Sequence, residues 1–183
     1  EFRIPAAERF VKENKLNEVF GPDSSEIGII TLGGLYNGVV RALERLGLAD
    51  IYGETRVPIY AMNVSYPVVP TEIEEFCVGK KAVLVVEEGY PDYIEQAINV
   101  TLRRADIQTR IFGKGMLPKV GEYTADVVLG GIEKFLKSEA NSSLSALMTG
   151  NAVAETEALK ARAKELLGED IPVRPPSFCT GCP

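Results

Sequence analysis

The spacing of apolar and polar positions along the chain changes several times, and each change marks an element. From Ile27 the run IGIIT is short and rich in β-branched residues, which predicts a strand. LGG follows, and Leu35, Val39, Leu43 and Leu46 then fall on one helical face that Gly47 ends. VPIYAMNV predicts a second strand, and a helix opens at Pro70-Thr71, with Thr71 and Glu74 at the spacing of a capping box. KKAVLVVEEG holds the longest unbroken apolar run of the chain, AVLVV, which predicts a central strand covered on both faces. A helix over 92–104 comes next, with Asp92 as N-cap and Ile94, Ile98 and Leu102 along one stripe. DIQTRIFG predicts a fourth strand, and Thr124 is placed to cap a helix through TADVVLGGIEKFLK.

The two ends read differently. AAERFVKENKLNEVF holds no steady helical period before Gly21-Pro22, so residues 1–25 are expected to be a connecting arm. After Lys137, SEANSSLSALMTGNAV is rich in small and polar residues and is expected to be a linker, which places a domain edge near residue 140. Within 140–183, Asn151 can cap a helix over 152–167 whose apolar seam is Ala152, Leu159, Ala163 and Leu166, ended by Gly168. IPVRPP then favours an extended, polyproline-like path. Strand and helix alternate over 26–139, so the predicted fold is α/β, with a mostly parallel sheet between two helical layers.

The 183 residues suit a single core, and 45% hydrophobic with 25% charged residues is the profile of a globular domain. A net charge of −6 offers no electrostatic attraction to a phosphate backbone, so nucleic acid is not an expected partner. No apolar run approaches the roughly 20 residues of a membrane-crossing helix, so no membrane is expected either. Three cysteines are too few for a secreted disulfide scaffold and predict a reducing cytoplasm. EFRIPAAERF begins without methionine or a targeting pattern, and the chain is expected to be a piece of something longer.

Candidate chemistry is sparse. TLGGLYNG places Gly33 and Gly34 between a strand and a helix, where an anion can be held, but the glycine spacing matches neither a dinucleotide nor a P-loop motif. A tight turn that needs glycine for steric reasons is the simpler account. Glu87 and Glu88 end the central strand, where ligands of open α/β sheets bind, and alternation sends their side chains to opposite faces. One is placed for a crevice or interface and the other for a helix N-terminus. The loop FGKGMLPKVGE offers Lys114 and Lys119 to an anion, or is simply a charged connection. No histidine is present, which excludes Ser-His-Asp and Cys-His mechanisms. Cys179 and Cys182 form a C-x-x-C pair, and even with Cys77 the chain supplies fewer than the four ligands of a zinc or iron–sulfur site. They are half of a site completed elsewhere, or idle thiols in a tail.

In this order, TLGGLYNGVVRALERLG, VLVVEEGYPDYIEQAI, FGKGMLPKVGEYT and RPPSFCTGCP resemble the alpha-subunit family of indolepyruvate ferredoxin oxidoreductase, thiamine-diphosphate-dependent 2-oxoacid oxidoreductases. The resemblance covers nearly the whole chain and implies a transketolase C-terminal-like middle domain. That fold is a three-layer α/β/α sandwich on a mostly parallel five-stranded sheet, one antiparallel strand more than the periodicity supplies. Such domains organise subunit contacts, so no catalytic residue and no cofactor are expected in this one. For the parent the resemblance implies oxidative decarboxylation of an aryl 2-oxo acid with coenzyme A, giving an acyl-CoA, carbon dioxide and reduced ferredoxin. It also implies thiamine diphosphate, magnesium and iron–sulfur clusters as cofactors. Implied partners are the remaining domains, a second (beta) subunit in an oligomer, ferredoxin and coenzyme A.

Cys179 and Cys182 fall where related enzymes place iron–sulfur ligands, and Gly181 falls at the edge of the diphosphate-binding domain. The resemblance also implies a continuation after C-x-G-C-P with His-Arg and a G-D-G segment leading to an Asn, whose carboxylate and amide hold the magnesium; these, and the glutamate that activates the aminopyrimidine, are not in this chain. Two other readings are a free-standing α/β module that holds a small anion near Gly33, Glu88 and Lys114, and a small C-x-x-C dithiol redox protein.

Overall fold

A computed structural model describes residues 2–149 and 151–168. It is a three-layer α/β/α sandwich on a five-stranded sheet ordered β1-β3-β2-β4-β5. The strands are β1 (Glu18–Phe20), β2 (Ile27–Leu32), β3 (Ile59–Met62), β4 (Ala82–Val86) and β5 (Arg110–Phe112). β2 pairs in parallel with both β3 and β4, β4 pairs in parallel with β5, and β1 joins β3 antiparallel. β2 and β4 are central, and every residue of β4 is buried, as a strand covered on both sides requires.

Alternation along these strands feeds two cores. Ile27, Ile29, Leu84 and Val86 face α2 (Tyr36–Arg45) and α5 (Ala125–Glu139), where Val39, Leu43, Ile132 and Phe135 meet them. Ile30, Val83 and Val85 face α3 (Pro70–Cys77) and α4 (Tyr93–Arg104), against Ile73, Ile98 and Leu102. The helical stripes read from the sequence for α2 and α4 are therefore the faces that enter the core. Among the described residues no helix is long and apolar enough to cross a membrane.

The segment expected as an arm instead forms helix α1 (Arg3–Glu13) and edge strand β1. α1 shows no steady period because Val11 is its one buried residue, while Phe2, Ile4 and Phe10 stay exposed. β1 is fastened by polar contacts. Asn17 donates to the Tyr60 hydroxyl at 3.0 Å and to Glu72 at 2.9 Å, and Tyr60 donates to the same carboxylate at 2.7 Å. Burial, then the Glu72 carboxylate, pushes the Tyr60 hydroxyl pKa up.

The capping box at Thr71 is not formed, because Val69 is the N-cap and Pro70 occupies the first turn; the Thr71 hydroxyl accepts from Lys12 instead, at 3.1 Å. The stretch expected as a linker contains α6 (Ser142–Leu147), whose Asn141 side chain accepts the Leu144 amide at 2.9 Å while Leu144 and Met148 pack on the core. α7 (Ala152–Leu167) follows, but its expected seam is buried only at Ala152; Leu159 and Leu166 are exposed. At the amino edge of the sheet Glu139, in the last turn of α5, is buried and paired with Arg110 and, at 3.3 Å, with Lys81. These cations offset the unfavourable position of a carboxylate at a helix C-terminus.

Burial pushes the Cys77 thiol up to about 12, with Lys80 opposing only in part. The unfolded thiol ionises near 8.5. The neutral form is therefore favoured by folding, and its stabilisation, full below about pH 8.5, is lost as pH rises toward the folded value. Tyr60 adds in the same direction. Urea midpoints are expected to fall between pH 8 and 10.5, less steeply in Cys77→Ala. Native alkylation at pH 8 followed by peptide mass spectrometry is expected to leave Cys77 unmodified until denaturant is added.

Candidate functional site

β2 and β4 lie side by side, yet the chain leaves β2 for the α2 face and β4 for the α4 face. The carboxyl ends of these strands thus border the position where open α/β sheets bind ligands. Gly33 and Gly34 follow β2 in a single 3-10 turn, Glu87 and Glu88 follow β4, and Gly113 and Lys114 follow β5.

Glu87 is 6% exposed. Its two carboxylate oxygens accept the amides of Ile94 at 3.0 Å and Glu95 at 3.1 Å, the free donors in the first turn of α4. Asp92 sits at the N-cap, as expected, but its side chain does not cap the helix and accepts from the Gln96 amide group at 3.0 Å. Glu88 points the other way and accepts the Tyr123 amide at 2.8 Å. The expected division of the two acids between opposite faces is what the structure has, with one of them on a helix N-terminus.

Lys114 completes the arrangement. Its ammonium donates to the backbone carbonyl of Glu87 and, at 3.0 Å, to the Tyr123 hydroxyl, which itself donates to the Pro118 carbonyl at 2.7 Å. The Lys114 amide donates to Glu95 at 3.0 Å. A Cβ at Gly113 would lie 2.0 Å from the Glu95 carboxylate, so any larger residue there displaces Glu95 from the Lys114 amide. The loop between β5 and α5 is thereby laced to the end of β4. Glu87, Glu88 and Lys114 come together, joined by Glu95 and Tyr123, which the sequence did not single out. Their one advance signal is position: Glu95 lies in the first turn of the helix after the predicted acids, and Tyr123 in the loop that carries the predicted lysine.

Gly33 belongs to a different contact. A Cβ there would lie 2.6 Å from Asn63 Oδ1, and the Asn63 amide group donates to the Leu16 carbonyl and Glu18, both at 2.9 Å. The steric account of this turn is therefore sufficient at Gly33; around Gly34 the space is open. Lys119 is exposed. Cys179, Gly181 and Cys182 lie outside the described residues, and among the described residues no group of His, Cys, Asp or Glu is placed to hold a metal ion.

The sequence also did not point to an apolar groove of about 590 Å³ beside this edge, between α1 and α4, with Val68 and Ile94 inside and Ile4, Tyr66 and Tyr93 along its walls. Tyr66, Tyr90 and Tyr93 are all exposed. A larger cleft at the opposite edge of the sheet, about 1060 Å³, carries Asp23, Glu26, Glu54, Arg56 and Lys80, a mixture of signs that selects no ion.

A family model described as "Indolepyruvate oxidoreductase domain" matches residues 17–166. The indolepyruvate oxidoreductase subunit IorA of Methanothermobacter thermautotrophicus is 35% identical over 174 residues, 93% of this chain and 24% of that protein. Those of Methanothermobacter marburgensis and Pyrococcus abyssi are each 30% identical, over 99% and 98% of this chain and 25% of theirs. The chain thus spans about a quarter of the length of these curated relatives.

Glu87→Ala is expected to lower the unfolding free energy by about 2 kcal/mol, the scale of leaving two buried helix amides unpaired. Glu87→Gln, which keeps one acceptor, is expected to lose less than half of that. Urea denaturation followed by circular dichroism measures both.

Proposed function

The chain belongs to the indolepyruvate oxidoreductase domain family, and we propose that it is the transketolase C-terminal-like middle domain of an indolepyruvate:ferredoxin oxidoreductase alpha subunit, a contact domain that takes no part in the chemistry. The parent on this proposal converts an aryl 2-oxo acid and coenzyme A to an acyl-CoA, carbon dioxide and reduced ferredoxin, in the cytoplasm. Its thiamine diphosphate, magnesium and iron–sulfur clusters are bound by polypeptide outside the described residues. Cys179 and Cys182 would serve one of those clusters, with Gly181 at the border of the diphosphate-binding domain.

The observation that carries this proposal is the internal engagement of the ionic groups at the sheet's carboxyl edge. A diphosphate with its magnesium needs free carboxylates, a free cation or open helix amides. Glu87 already fills the first turn of α4, Glu88 holds Tyr123, and Lys114 holds Glu87 and Tyr123. These residues do not fit that cofactor. Exposed tyrosines and an apolar groove at the same edge have the composition of a protein contact, rich in aromatic side chains. The domain itself is proposed to begin before residue 26, because β1 belongs to its sheet, and to be followed by a connection beyond α7.

Titration calorimetry of the chain with thiamine diphosphate and magnesium is expected to show no binding, and one-to-one binding would refute the proposal. Tagged beta subunit is expected to retain the complete alpha subunit, and to retain less of it when Tyr66 and Tyr93 are both replaced by serine.

A further inference from the structure

We propose that Lys80, at the amino edge of the sheet, is a site of N-acylation by thioesters, because the fold holds its amine half-buried and unpaired at the mouth of a large cleft. The inference goes beyond the reading of this domain as a contact domain and does not depend on it.

The backbone fixes where the side chain starts. Lys80 stands between α3 and β4, its amide donates to the Cys77 carbonyl at 3.0 Å, and its own carbonyl accepts the Thr109 hydroxyl at 2.8 Å. The stem passes Gly28 of β2, where a Cβ would come 3.2 Å from the Lys80 Cδ. The ammonium then lies 4.7 Å from the centre of the Phe76 ring. Phe76 offers it a ring face but no acceptor for its three N–H donors.

The other lysines stand differently. Lys12, Lys81, Lys137 and Lys160 pair with carboxylates, and Lys114 and Lys134 donate to backbone carbonyls. Lys15, Lys119 and Lys164 are exposed. Among the described residues, Lys80 alone combines partial burial with an ammonium that has neither hydrogen bond nor ion pair. Burial pushes its pKa below the usual lysine value, and Cys77 and Asp23 oppose this only in part. A lysine desolvated in this way reacts as the neutral amine.

Room for the product is present. Lys80 lines the cleft of about 1060 Å³ at this edge, where Ile27, Val78, Leu144 and Leu147 give an acyl group an apolar wall. A thioester suits the site because its thiolate leaves without help from a metal or a general acid. The neutral Nζ attacks the carbonyl carbon, an N–C bond forms, the C–S bond breaks, and the departing thiolate takes up the proton released from nitrogen. The amide that results is uncharged, so the cleft loses a cation and keeps Asp23, Glu26 and Glu54.

The test incubates the folded chain with S-acetyl-N-acetylcysteamine, an uncharged thioester, near pH 8 and follows each acetylation site over time by peptide mass spectrometry. Lys80 is expected to be acetylated at least about threefold faster than Lys15 and Lys119. In denaturing urea the three are expected to react at one rate, since only the fold sets Lys80 apart. Lys80→Arg is expected to remove the fast phase of acetylation and leave Lys15 and Lys119 unchanged. Acetylation of Lys80 no faster than that of the two exposed lysines would overturn the proposal. So would an excess at Lys80 that persists in urea, or a fast phase that survives Lys80→Arg. Because neither cofactor nor beta subunit is present, these outcomes are independent of the calorimetric and retention results.

Discussion

The carboxylate of Glu87 joins the central strand to the helix that follows it, and the arrangement of the sheet's carboxyl edge depends on that junction. A buried carboxylate without partners costs several kcal/mol. Here two amides of α4 and the positive end of its dipole hold the charge. Strand alternation then dictates that Glu88 faces away, where it fixes Tyr123. The Glu87 carbonyl lies beyond the last residue of the strand and is taken by Lys114. One residue thus orders a helix through its side chain and a loop through its backbone.

That closure explains why a position favourable for ligands in this architecture is occupied by the protein's own groups. Helix N-termini attract anions because their amides are free. In α4 the anion is built into the chain, and Lys114 and Tyr123 cross the same opening. The opposite edge has a counterpart in Glu139, which is buried at the end of α5 between Lys81 and Arg110. Each helical layer is therefore pinned to the sheet by a buried carboxylate, one at either end.

What the sequence made readable is what periodicity controls. AVLVV and IGIIT are strands because both faces are covered, and α2 and α4 are helices whose stripes meet the core. α1 and β1 were not readable: Val11 alone anchors the helix, and a three-residue strand held by Asn17, Tyr60 and Glu72 leaves no alternation to detect. α6 hides in polar composition because Asn141 and Leu144 are enough to seat it. At the candidate site the opposite orientations of Glu87 and Glu88 followed from strand geometry, but their partners did not. Tyr123 and Lys114 arrive from another loop, and such meetings are set by tertiary packing.

Both outer strands of the sheet are three residues long, and they end it on either side. So little unpaired backbone gives a visiting strand almost nothing to register against. Edges this short favour contacts made through side chains over extension of the sheet, so a change of partner can be written in a handful of surface residues without redrawing the framework beneath.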